Sequence, residues 1–443
     1  MTLSPDTRAY PEHLEYVRRT LERALTVNGF ERVLIASGVE KFQFLDDRPY
    51  PFAANPMFKW WLPLTAHPNC WIDFKPGAKP RLIYHQPTDY WHLAPADPAG
   101  FWTAHFDIQI VREVEQIRAL LPQELARCAI LGEADSALAD LAPNNPQRLV
   151  DAVHLARTRK TTYELECLRA ASRGAARAHR AAATAFRHGG SERAIHEAYL
   201  AELGIAEREL PYGNIVALNQ HGAVLHYQHQ DHAAPAEHRA LLIDAGFAVN
   251  GYAADITRTY GNGDPQFTEL LEAVNTVQMQ LAAAVRPNLD YRQLHLQAHL
   301  ALAGVLHALD LVRMSPEAMV ESGVSSVFFP HGLGHFLGLQ VHDVAGFLAD
   351  DQGNLIAKPA GHPHLRLTRT LQPGNVLTIE PGIYFIALLL AGLRAGAHAR
   401  AVNWDAIEHL ARFGGVRIED DVHVTAGAAE NLTRDAFKYL AAA

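Results

Sequence analysis

Apolar and polar residues alternate in short blocks along the first third of the chain, and this pattern predicts strands separated by helices. Apolar residues recur at helical spacing from His13 to Thr26, and RVLIAS after Gly29 predicts a strand. Further strands are predicted at CWIDF, RLIYHQ, FDIQIV and CAILGE, with a helix at EVEQIRALL. This order indicates an α/β domain over about the first 155 residues.

A long helix is predicted to begin at Thr161. Thr161 and Glu164, three residues later, form a capping-box signature. The alanine-rich helix that follows is predicted to stop at Gly189-Gly190. We therefore expect two domains, an N-terminal α/β domain over residues 1–160 and a second domain of mixed α and β structure over residues 161–443. The second domain contains two helices and strands, then two more helices and strands, which hints at an internal duplication.

One stretch of the second domain, Leu241 to Tyr260, predicts a hairpin that carries two carboxylates. Asn250-Gly251 is a strong hairpin signal between two strand-like runs. In an antiparallel hairpin, residues directly opposite each other have a constant sum of residue numbers, which is odd when the loop has two or four residues. The numbers of Asp244 and Asp255 also add to an odd sum, so the two side chains fall on the same face. A loop over Ala248 to Gly251 sets them directly opposite, and a turn at Asn250-Gly251 makes them diagonal neighbours roughly 7–8 Å apart. Two such charges need either a shared proton or a bound cation.

The first domain contains an aromatic and proline-rich segment, Phe44 to Leu64, between its first two strands. Such a segment is most often a packed loop. It could also wall a pocket shared with another domain.

The composition indicates what kind of partner the protein binds and in which cellular compartment it works. The 443 residues carry a formal net charge of -9 with scattered basic residues, which argues against nucleic acid or an anionic membrane and favours a small polar substrate. Three separated cysteines indicate a reducing compartment. The first residues lack a signal-peptide pattern, and the apolar run from Ile383 is too short to span a bilayer. We expect a soluble cytoplasmic protein.

Histidines and glycines concentrate in FFPHGLGHFLGLQVHDV, where His331, His335 and His342 are the candidates for chemistry. The glycines on both sides of His335 disfavour a helix, so His331 and His335 are not expected to be a helical pair. Histidines placed on a tight loop indicate a site, although any single one is as often a packed or surface histidine. The total of 25 histidines selects none of them.

Two glutamates lie at strand positions near the C-terminus. LTIEPGIYF sets Glu380 at the end of an apolar strand, and GGVRIEDDV puts Arg417 and Glu419 on one strand face. Either glutamate alone is more often a solvated charge. Together with Asp244, Asp255 and His335, however, they form an oxygen-rich donor set that suits a pair of divalent ions, Mn²⁺, Co²⁺ or Zn²⁺, able to activate water for hydrolysis.

These residues, in this order, resemble the motifs of the pita-bread metallopeptidases, which include methionine aminopeptidase, aminopeptidase P, creatinase and prolidase. The resemblance implies that the metal ligands are Asp244, Asp255, His335, Glu380 and Glu419. Members without metal lack this set. PYGNIVALNQHGAVLHY, LRLTRTLQPGNVLTIEPGIYF and most of the remaining chain are similar to the PepQ-type bacterial Xaa-Pro dipeptidases, whose relatives include organophosphorus acid anhydrolases.

This resemblance implies a creatinase/prolidase-like N-terminal α/β domain, a C-terminal pita-bread domain, a homodimer, two Mn²⁺ ions and hydrolysis of dipeptides with C-terminal proline. Glu380 would carry a proton from water to the proline nitrogen, and His226 and His342 would stabilise the oxyanion. Arg366 or Arg417 would bind the substrate carboxylate. The residues expected to line the substrate pocket are His331, Tyr212, Leu225, Val341 and Asp46, the last from the N-terminal domain of this subunit or of the dimer partner.

Two other functions remain open at this stage. An aminopeptidase P-like enzyme would cleave longer Xaa-Pro peptides, and a scaffold with this fold would bind protein or RNA without catalysis. The complete ligand set argues against the scaffold. Side activity on organophosphate triesters is compatible with the dipeptidase, since their phosphoryl centre resembles a tetrahedral intermediate.

Overall fold

A computed structural model describes residues 4–136, 138 and 140–442. Its helices are α1 (Tyr10–Val27), α2 (Pro56–Lys59), α3 (Glu115–Leu120), α4 (Gln147–Arg157), α5 (Thr162–Arg187), α6 (Glu192–Leu203), α7 (Pro265–Ala284), α8 (Tyr291–Ala308), α9 (Pro316–Glu321), α10 (Val324–Phe328), α11 (Ala387–Ala395), α12 (Trp404–Ala411) and α13 (Leu432–Ala442). Within these residues, every helix is too short or too polar to serve as a bilayer span.

The strands are β1 (Arg32–Ala36), β2 (Trp71–Phe74), β3 (Arg81–His85), β4 (Asp107–Val111), β5 (Cys128–Leu131), β6 (Ile215–Leu218), β7 (Ala240–Asp244), β8 (Ala248–Val249), β9 (Tyr252–Ala253), β10 (Thr257–Gly261), β11 (Val376–Ile379), β12 (Gly382–Tyr384), β13 (Gly415–Arg417), β14 (Asp420–His423) and β15 (Glu430–Asn431). The five strands predicted before residue 155 are all present.

The N-terminal strands form one sheet in the order β4-β3-β2-β1-β5. The pairs β1–β5 and β3–β4 are parallel, and β2 is antiparallel to both of its neighbours. Residues of β1, β2 and β5 are buried nearly throughout, because α1 and α4 cover one face of the sheet and α3 lies against the other. This agrees with the α/β pattern predicted from the sequence.

Helix α5 begins with the predicted capping box. Thr161 Oγ1 accepts from the Glu164 amide at 3.4 Å, and Glu164 Oε2 accepts from the Thr161 amide at 2.7 Å. The second carboxylate oxygen of Glu164 accepts a hydrogen bond from the Tyr252 hydroxyl at 3.0 Å. The cap therefore also fixes α5 against the hairpin that carries the two aspartates.

The C-terminal part consists of small antiparallel sheets beneath long helices. The sheet orders are β10-β7-β6, β11-β14-β15, β12-β13 and β8-β9. Helices α5 and α6 pack on the first of these sheets, and α7 and α8 pack on the strands that follow. This arrangement of two helices with strands, repeated once, matches the pattern noted in the sequence.

The two predicted glutamate strands are interrupted. LTIEPGIYF divides into β11 and β12 at Glu380-Pro381, because proline has no amide proton for the ladder. GGVRIEDDV divides into β13 and β14 because the chain changes partner from β12 to β11 around Glu419. The sequence pattern shows the alternation of faces but not this exchange of partner.

A buried ion network joins α4 and the start of α5 to the loop that follows His342. Asp343 accepts from Arg157 at 2.7 Å and from Lys160 at 2.9 Å, and all three side chains are at most 2% exposed. The loop between the two helices is therefore tied to a segment whose His342 lines a cavity of about 490 Å³.

Candidate active site

The hairpin sets Asp244 and Asp255 on one face. Asp244 pairs with Thr257, and Val249 pairs with Tyr252, so the turn falls at Asn250-Gly251. Both turn residues have positive φ, 52° and 87°, as a two-residue hairpin turn requires. The two aspartates are therefore diagonal neighbours, which is the second of the two registers that the sequence allowed.

His335 and Glu380 reach the same place from the glycine-rich loop and the end of β11. The amide of Thr378 donates to the His335 carbonyl at 2.9 Å, which holds the loop against β11. A Cβ on Gly334 would lie 2.5 Å from the Tyr291 hydroxyl, so only glycine fits there. The predicted absence of a helix at this loop is confirmed.

Glu419 completes the group at the change from β13 to β14. Its amide donates to the Thr257 carbonyl at 3.0 Å, and the Thr257 hydroxyl donates to Glu419 Oε2 at 2.6 Å. Arg417, two residues earlier, also contacts the Thr257 hydroxyl at 3.2 Å. Arg417 and Glu419 thus point to the same side, as the alternation predicted.

The five side chains converge in one cavity. His335 Nε2 lies 3.4 Å from Asp255 Oδ2 and 3.6 Å from Glu380 Oε1. Ligand atoms of Asp255, His335 and Glu419 all lie within 4.8 Å of one another. All five predicted ligands line the same cavity of about 490 Å³.

Neighbouring groups orient the ligands. His335 Nδ1 lies 2.9 Å from the Phe336 carbonyl, which orients the ring with Nε2 toward the carboxylates. The Tyr212 hydroxyl oxygen lies 2.9 Å from Asp244 Oδ1 and 2.6 Å from Asp255 Oδ1. It has only one proton for two carboxylate oxygens, so it can donate to only one of them at a time.

The pKa values of the four carboxylates also indicate a shortage of positive charge in the cavity. Burial, followed by repulsion from Asp255 and other carboxylates, raises the pKa of Glu380 to about 7 and raises the pKa of Glu419 well above its usual value. Burial likewise raises the pKa of Asp244, against the opposing effect of Arg417. Burial also opposes ionisation of Asp255, but His335 and Tyr212 outweigh it and lower its pKa. Four crowded carboxylates with one arginine are short of positive charge.

This donor set fits divalent cations. Carboxylate oxygens with a single imidazole suit Mn²⁺, Co²⁺ or Zn²⁺, and a cation at this position would supply the charge that the four carboxylates lack. The fit rests on the donor atoms and on the excess of carboxylates in the cavity.

The cavity beside the five ligands contains most of the predicted substrate residues. It is lined in part by Leu225, His226, His331, His342 and Arg366. The His342 ring stands edge-on to the His335 ring with centroids 4.3 Å apart. His331 Nε2 lies 2.7 Å from the Tyr384 hydroxyl, and its Nδ1 lies 2.8 Å from the Gly332 carbonyl.

The two candidate arginines differ in their surroundings. Arg417 is 4% exposed and donates to Asp244 Oδ2 at 2.8 Å and to the Tyr384 hydroxyl at 3.0 Å. Arg366 is exposed and lines the cavity from the loop before β11. Only Arg366 presents a guanidinium to the cavity without such protein partners among the residues described.

A second cavity of about 940 Å³ adjoins the first, sharing His226, Asp244, Asp255 and His342 with it. Tyr212 and Val341 line this part, opposite residues of the aromatic segment such as Phe52 and Pro63. The segment therefore forms a wall between the domains, the second of the two interpretations made from the sequence.

Asp46 is the one predicted residue outside both linings. It is exposed on the turn before Arg48 and belongs to neither cavity within this chain.

Tyr384, Thr257 and Thr378 were not predicted. Tyr384 links Arg417 to His331, Thr257 binds Glu419, and Thr378 Oγ1 lies 3.4 Å from Glu380 Oε1. All three lie in or beside the motifs that carry the ligands. Thr257 and Thr378 are each two residues from a predicted ligand along a strand. Residues at this spacing share a strand face, which is the signal that could have identified them.

Two family models match the chain. The model described as Xaa-Pro dipeptidase, N-terminal domain, matches residues 8–155, and the model described as Metallopeptidase family M24 matches residues 166–426. A Xaa-Pro dipeptidase of Stenotrophomonas maltophilia (strain K279a) is 52% identical over 429 residues, which is 97% of this chain and 97% of that protein. A Xaa-Pro dipeptidase of Xanthomonas campestris pv. campestris (strain B100) matches with the same identity and the same coverage.

Solved structures of aminopeptidase P share the fold. Zinc-substituted Escherichia coli aminopeptidase P in complex with product superposes with a TM-score of 0.70 at 23% identity, covering 96% of this chain and 98% of that chain. The aminopeptidase PepP of Pseudomonas aeruginosa gives a TM-score of 0.74 at 22% identity, covering 97% and 98%.

Proposed function

This chain belongs to metallopeptidase family M24, and from the geometry of its centre we propose that it hydrolyses Xaa-Pro dipeptides with the help of two divalent ions. The observation that carries the proposal is the convergence of Asp244, Asp255, His335, Glu380 and Glu419 in one cavity, beside a positively charged side chain that a substrate can reach. The relatives that are 52% identical bear the name Xaa-Pro dipeptidase, which supports the substrate class.

The five residues would hold the ions: ligand atoms of Asp255, His335 and Glu419 lie within 4.8 Å of one another, and Asp244 and Glu380 line the same cavity. Bound divalent ions lower the pKa of water and polarise a carbonyl oxygen. We propose Mn²⁺ as the working ion, because four carboxylates and one imidazole form a hard donor set.

Glu380 is the proposed proton carrier. Its carboxylate is 16% exposed and faces the cavity, so it can lie beside both the attacking water and the bound substrate. It would take the proton of the attacking water and deliver it to the proline nitrogen of the leaving group.

His226, His342 and His331 border the space where the scissile carbonyl would lie. His226 and His342 are exposed to the cavity and can donate a hydrogen bond to the developing oxyanion. His331 is held by Tyr384 and Gly332, so its role is to shape the pocket.

Arg366 is the proposed clamp for the substrate carboxylate. Its guanidinium can form a bidentate pair with the C-terminal carboxylate of a dipeptide, whereas Arg417 already bonds Asp244 and Tyr384. A clamp that must bind the free α-carboxylate admits a dipeptide and rejects a longer chain. Leu225, on the same cavity, and Tyr212 and Val341, on the adjoining one, would bound the rest of the substrate.

We further propose a homodimer in the cytoplasm with a domain boundary between residues 160 and 161. Phe44 and Leu45, which precede Asp46, are about 90% exposed, and such apolar side chains fit a contact with a second subunit. Asp46 would then reach the partner's pocket. We also propose organophosphate triesters as a side substrate of the same centre, because their reaction also needs an activated water and a stabilised oxyanion.

Cleavage of Ala-Pro compared with Ala-Pro-Ala after Mn²⁺ loading tests the function. We expect hydrolysis of Ala-Pro and little or none of the tripeptide. Preferential cleavage of Ala-Pro-Ala would favour the alternative, an aminopeptidase P-like enzyme. Solved structures of aminopeptidase P share the fold of this chain.

A further inference from the structure

A second cluster of metal-binding side chains lies outside the carboxylate centre. His295 and His299 stand on successive turns of α8, and His362 meets them from the loop before Arg366. The three ring centroids are 4.5–4.7 Å apart, and one ligand nitrogen of each ring lies within 4.8 Å of the others. His295 and His299 are each 1% exposed, and His362 is half-buried.

The hydrogen bonding of the cluster is incomplete. His295 Nε2 and His362 Nδ1 lie 2.9 Å apart and share one proton between two imidazoles. His299 Nδ1 lies 3.1 Å from the Ser325 hydroxyl. Among the described residues, His295 Nδ1 and His299 Nε2 are buried without any partner. An unsatisfied buried polar atom is destabilising, so packing alone does not account for three imidazoles here.

The surroundings keep the rings neutral, which is the state that binds metal. Burial, followed by the neighbouring histidines, lowers the pKa of His295 to about 2 and that of His299 to about 3. The Phe329 ring lies 4.8 Å from His299 and shields it. The contact with Ser325 orients His299 in the way that an outer hydrogen bond orients a histidine ligand.

We propose that His295, His299 and His362 form a separate metal site of the zinc class. Three imidazoles are a borderline donor set that favours Zn²⁺ over the Mn²⁺ expected among the carboxylates. With Zn–N bonds of about 2.0–2.1 Å, two nitrogens at a tetrahedral angle are roughly 3.4 Å apart. A tautomer change that moves the shared proton to the other nitrogen of its own ring, with a small separation of His295 and His362, therefore creates the site. Water completes the coordination on the half-buried side at His362.

The position of the site gives the ion a structural role. His362 is on the loop whose Pro363, His364 and Arg366 line the active cavity. The backbone of this loop packs against Gly332, where a Cβ would lie 2.9 Å from the His364 carbonyl. An ion that ties His362 to α8 therefore restrains the loop that carries the proposed carboxylate clamp. Only this last step rests on the proposed function.

Zinc content of the full-length protein tests the site, with the carboxylate centre disabled by Asp255→Asn and Glu419→Gln. After chelation, Zn²⁺ loading and gel filtration, we expect the double variant to retain one zinc ion per chain. Adding His362→Ala should remove it, whereas adding His307→Ala, an exposed histidine on the same helix, should not. Loss of all zinc from the double variant, or zinc content unchanged by His362→Ala, would overturn the proposal.

Cobalt substitution gives a second readout that requires no turnover. Tetrahedral Co²⁺ with three imidazoles absorbs strongly in the visible range, and we expect this absorption in the double variant and in its His307→Ala form. His362→Gln, which keeps a polar side chain at a half-buried loop position, should lose it while the circular dichroism spectrum is unchanged. If the Co²⁺ absorption of the His362→Gln form equals that of the double variant, the histidine site is contradicted. This conclusion does not depend on whether the enzyme hydrolyses dipeptides.

Discussion

Arg417 Nη2 donates a hydrogen bond to Asp244 Oδ2 over 2.8 Å, and the two side chains are only 5% and 14% exposed. The same guanidinium donates to the Tyr384 hydroxyl, which in turn contacts His331. One arginine thus connects a proposed metal ligand with the wall of the substrate pocket. It is part of the scaffold of the centre, in contrast to Arg366 on the exposed loop.

Replacing Arg417 with methionine should destabilise the protein. The change leaves Asp244 buried beside other carboxylates without its countercharge, which typically costs about 3–5 kcal/mol. Denaturant unfolding of the metal-free protein measures this loss. Arg366→Met is the matched control, with an expected change within about 0.5 kcal/mol because its side chain is exposed. Equal stability of the two variants would contradict the structural role of Arg417.

Arg366→Ala should weaken substrate binding. Loss of a charge-assisted hydrogen bond costs about 1.5–3 kcal/mol, so we expect KM for Ala-Pro to rise roughly 10–100-fold. The thermal midpoint should not change. Steady-state kinetics with Ala-Pro and with its C-terminal amide give the comparison, since the amide should be insensitive to the substitution. An unchanged KM for Ala-Pro would show that Arg366 does not bind the substrate carboxylate and would assign that role to Arg417.

Asp255→Asn should abolish turnover and keep the fold. The variant loses a charged oxygen donor of the proposed metal centre, while the metal-free protein is relieved of one repulsive charge beside Glu419. Hydrolysis of Ala-Pro at saturating Mn²⁺ and thermal unfolding together measure the two effects. Asp405→Asn, an exposed aspartate on α12, is the control. Full Mn²⁺-dependent activity in Asp255→Asn would refute the ligand assignment.

Asp343→Asn should loosen the junction between α4 and the loop of His342. Burial alone would raise the pKa of Asp343, but Lys160 and Arg157 outweigh it and lower the pKa below its usual value. A depressed pKa in the folded state means that the carboxylate stabilises the fold above its unfolded pKa of about 3.9 and loses this effect as the pH falls through the folded value.

We therefore expect Asp343→Asn to be less stable than the wild type at pH 7 and the difference to shrink below about pH 4. Thermal unfolding at several pH values measures this. The variant should also lower kcat/KM, because His342 directly precedes Asp343 in the chain. A stability difference that is constant down to pH 2 would show that the charge of Asp343 is not responsible.

Local patterns in the sequence predicted much of the fold. The capping box at Thr161 and the turn at Asn250-Gly251 are governed by neighbours in the chain, and both are as predicted. The register of the hairpin then placed Asp244 and Asp255 on one face. The interruption at Pro381 could also have been expected, because proline cannot donate to a ladder.

Contacts between distant segments were beyond the reach of the sequence. Nothing near Arg417 or Arg366 indicates which arginine already has protein partners, because Asp244 and Tyr384 come from other strands. The His295, His299 and His362 cluster was hidden for the same reason. Two of its members share a helix face, but the third comes from a loop far along the chain, and 25 histidines offered too many combinations.

We propose that five side chains hold two divalent ions where a prolyl peptide bond can be hydrolysed. Anomalous diffraction at the manganese edge, from crystals of the Mn²⁺-loaded protein, locates these ions. We expect two peaks in the cavity between Asp244, Asp255, His335, Glu380 and Glu419, and none there in Asp255→Asn crystals prepared in the same way. Manganese peaks located only elsewhere in the molecule would contradict the account.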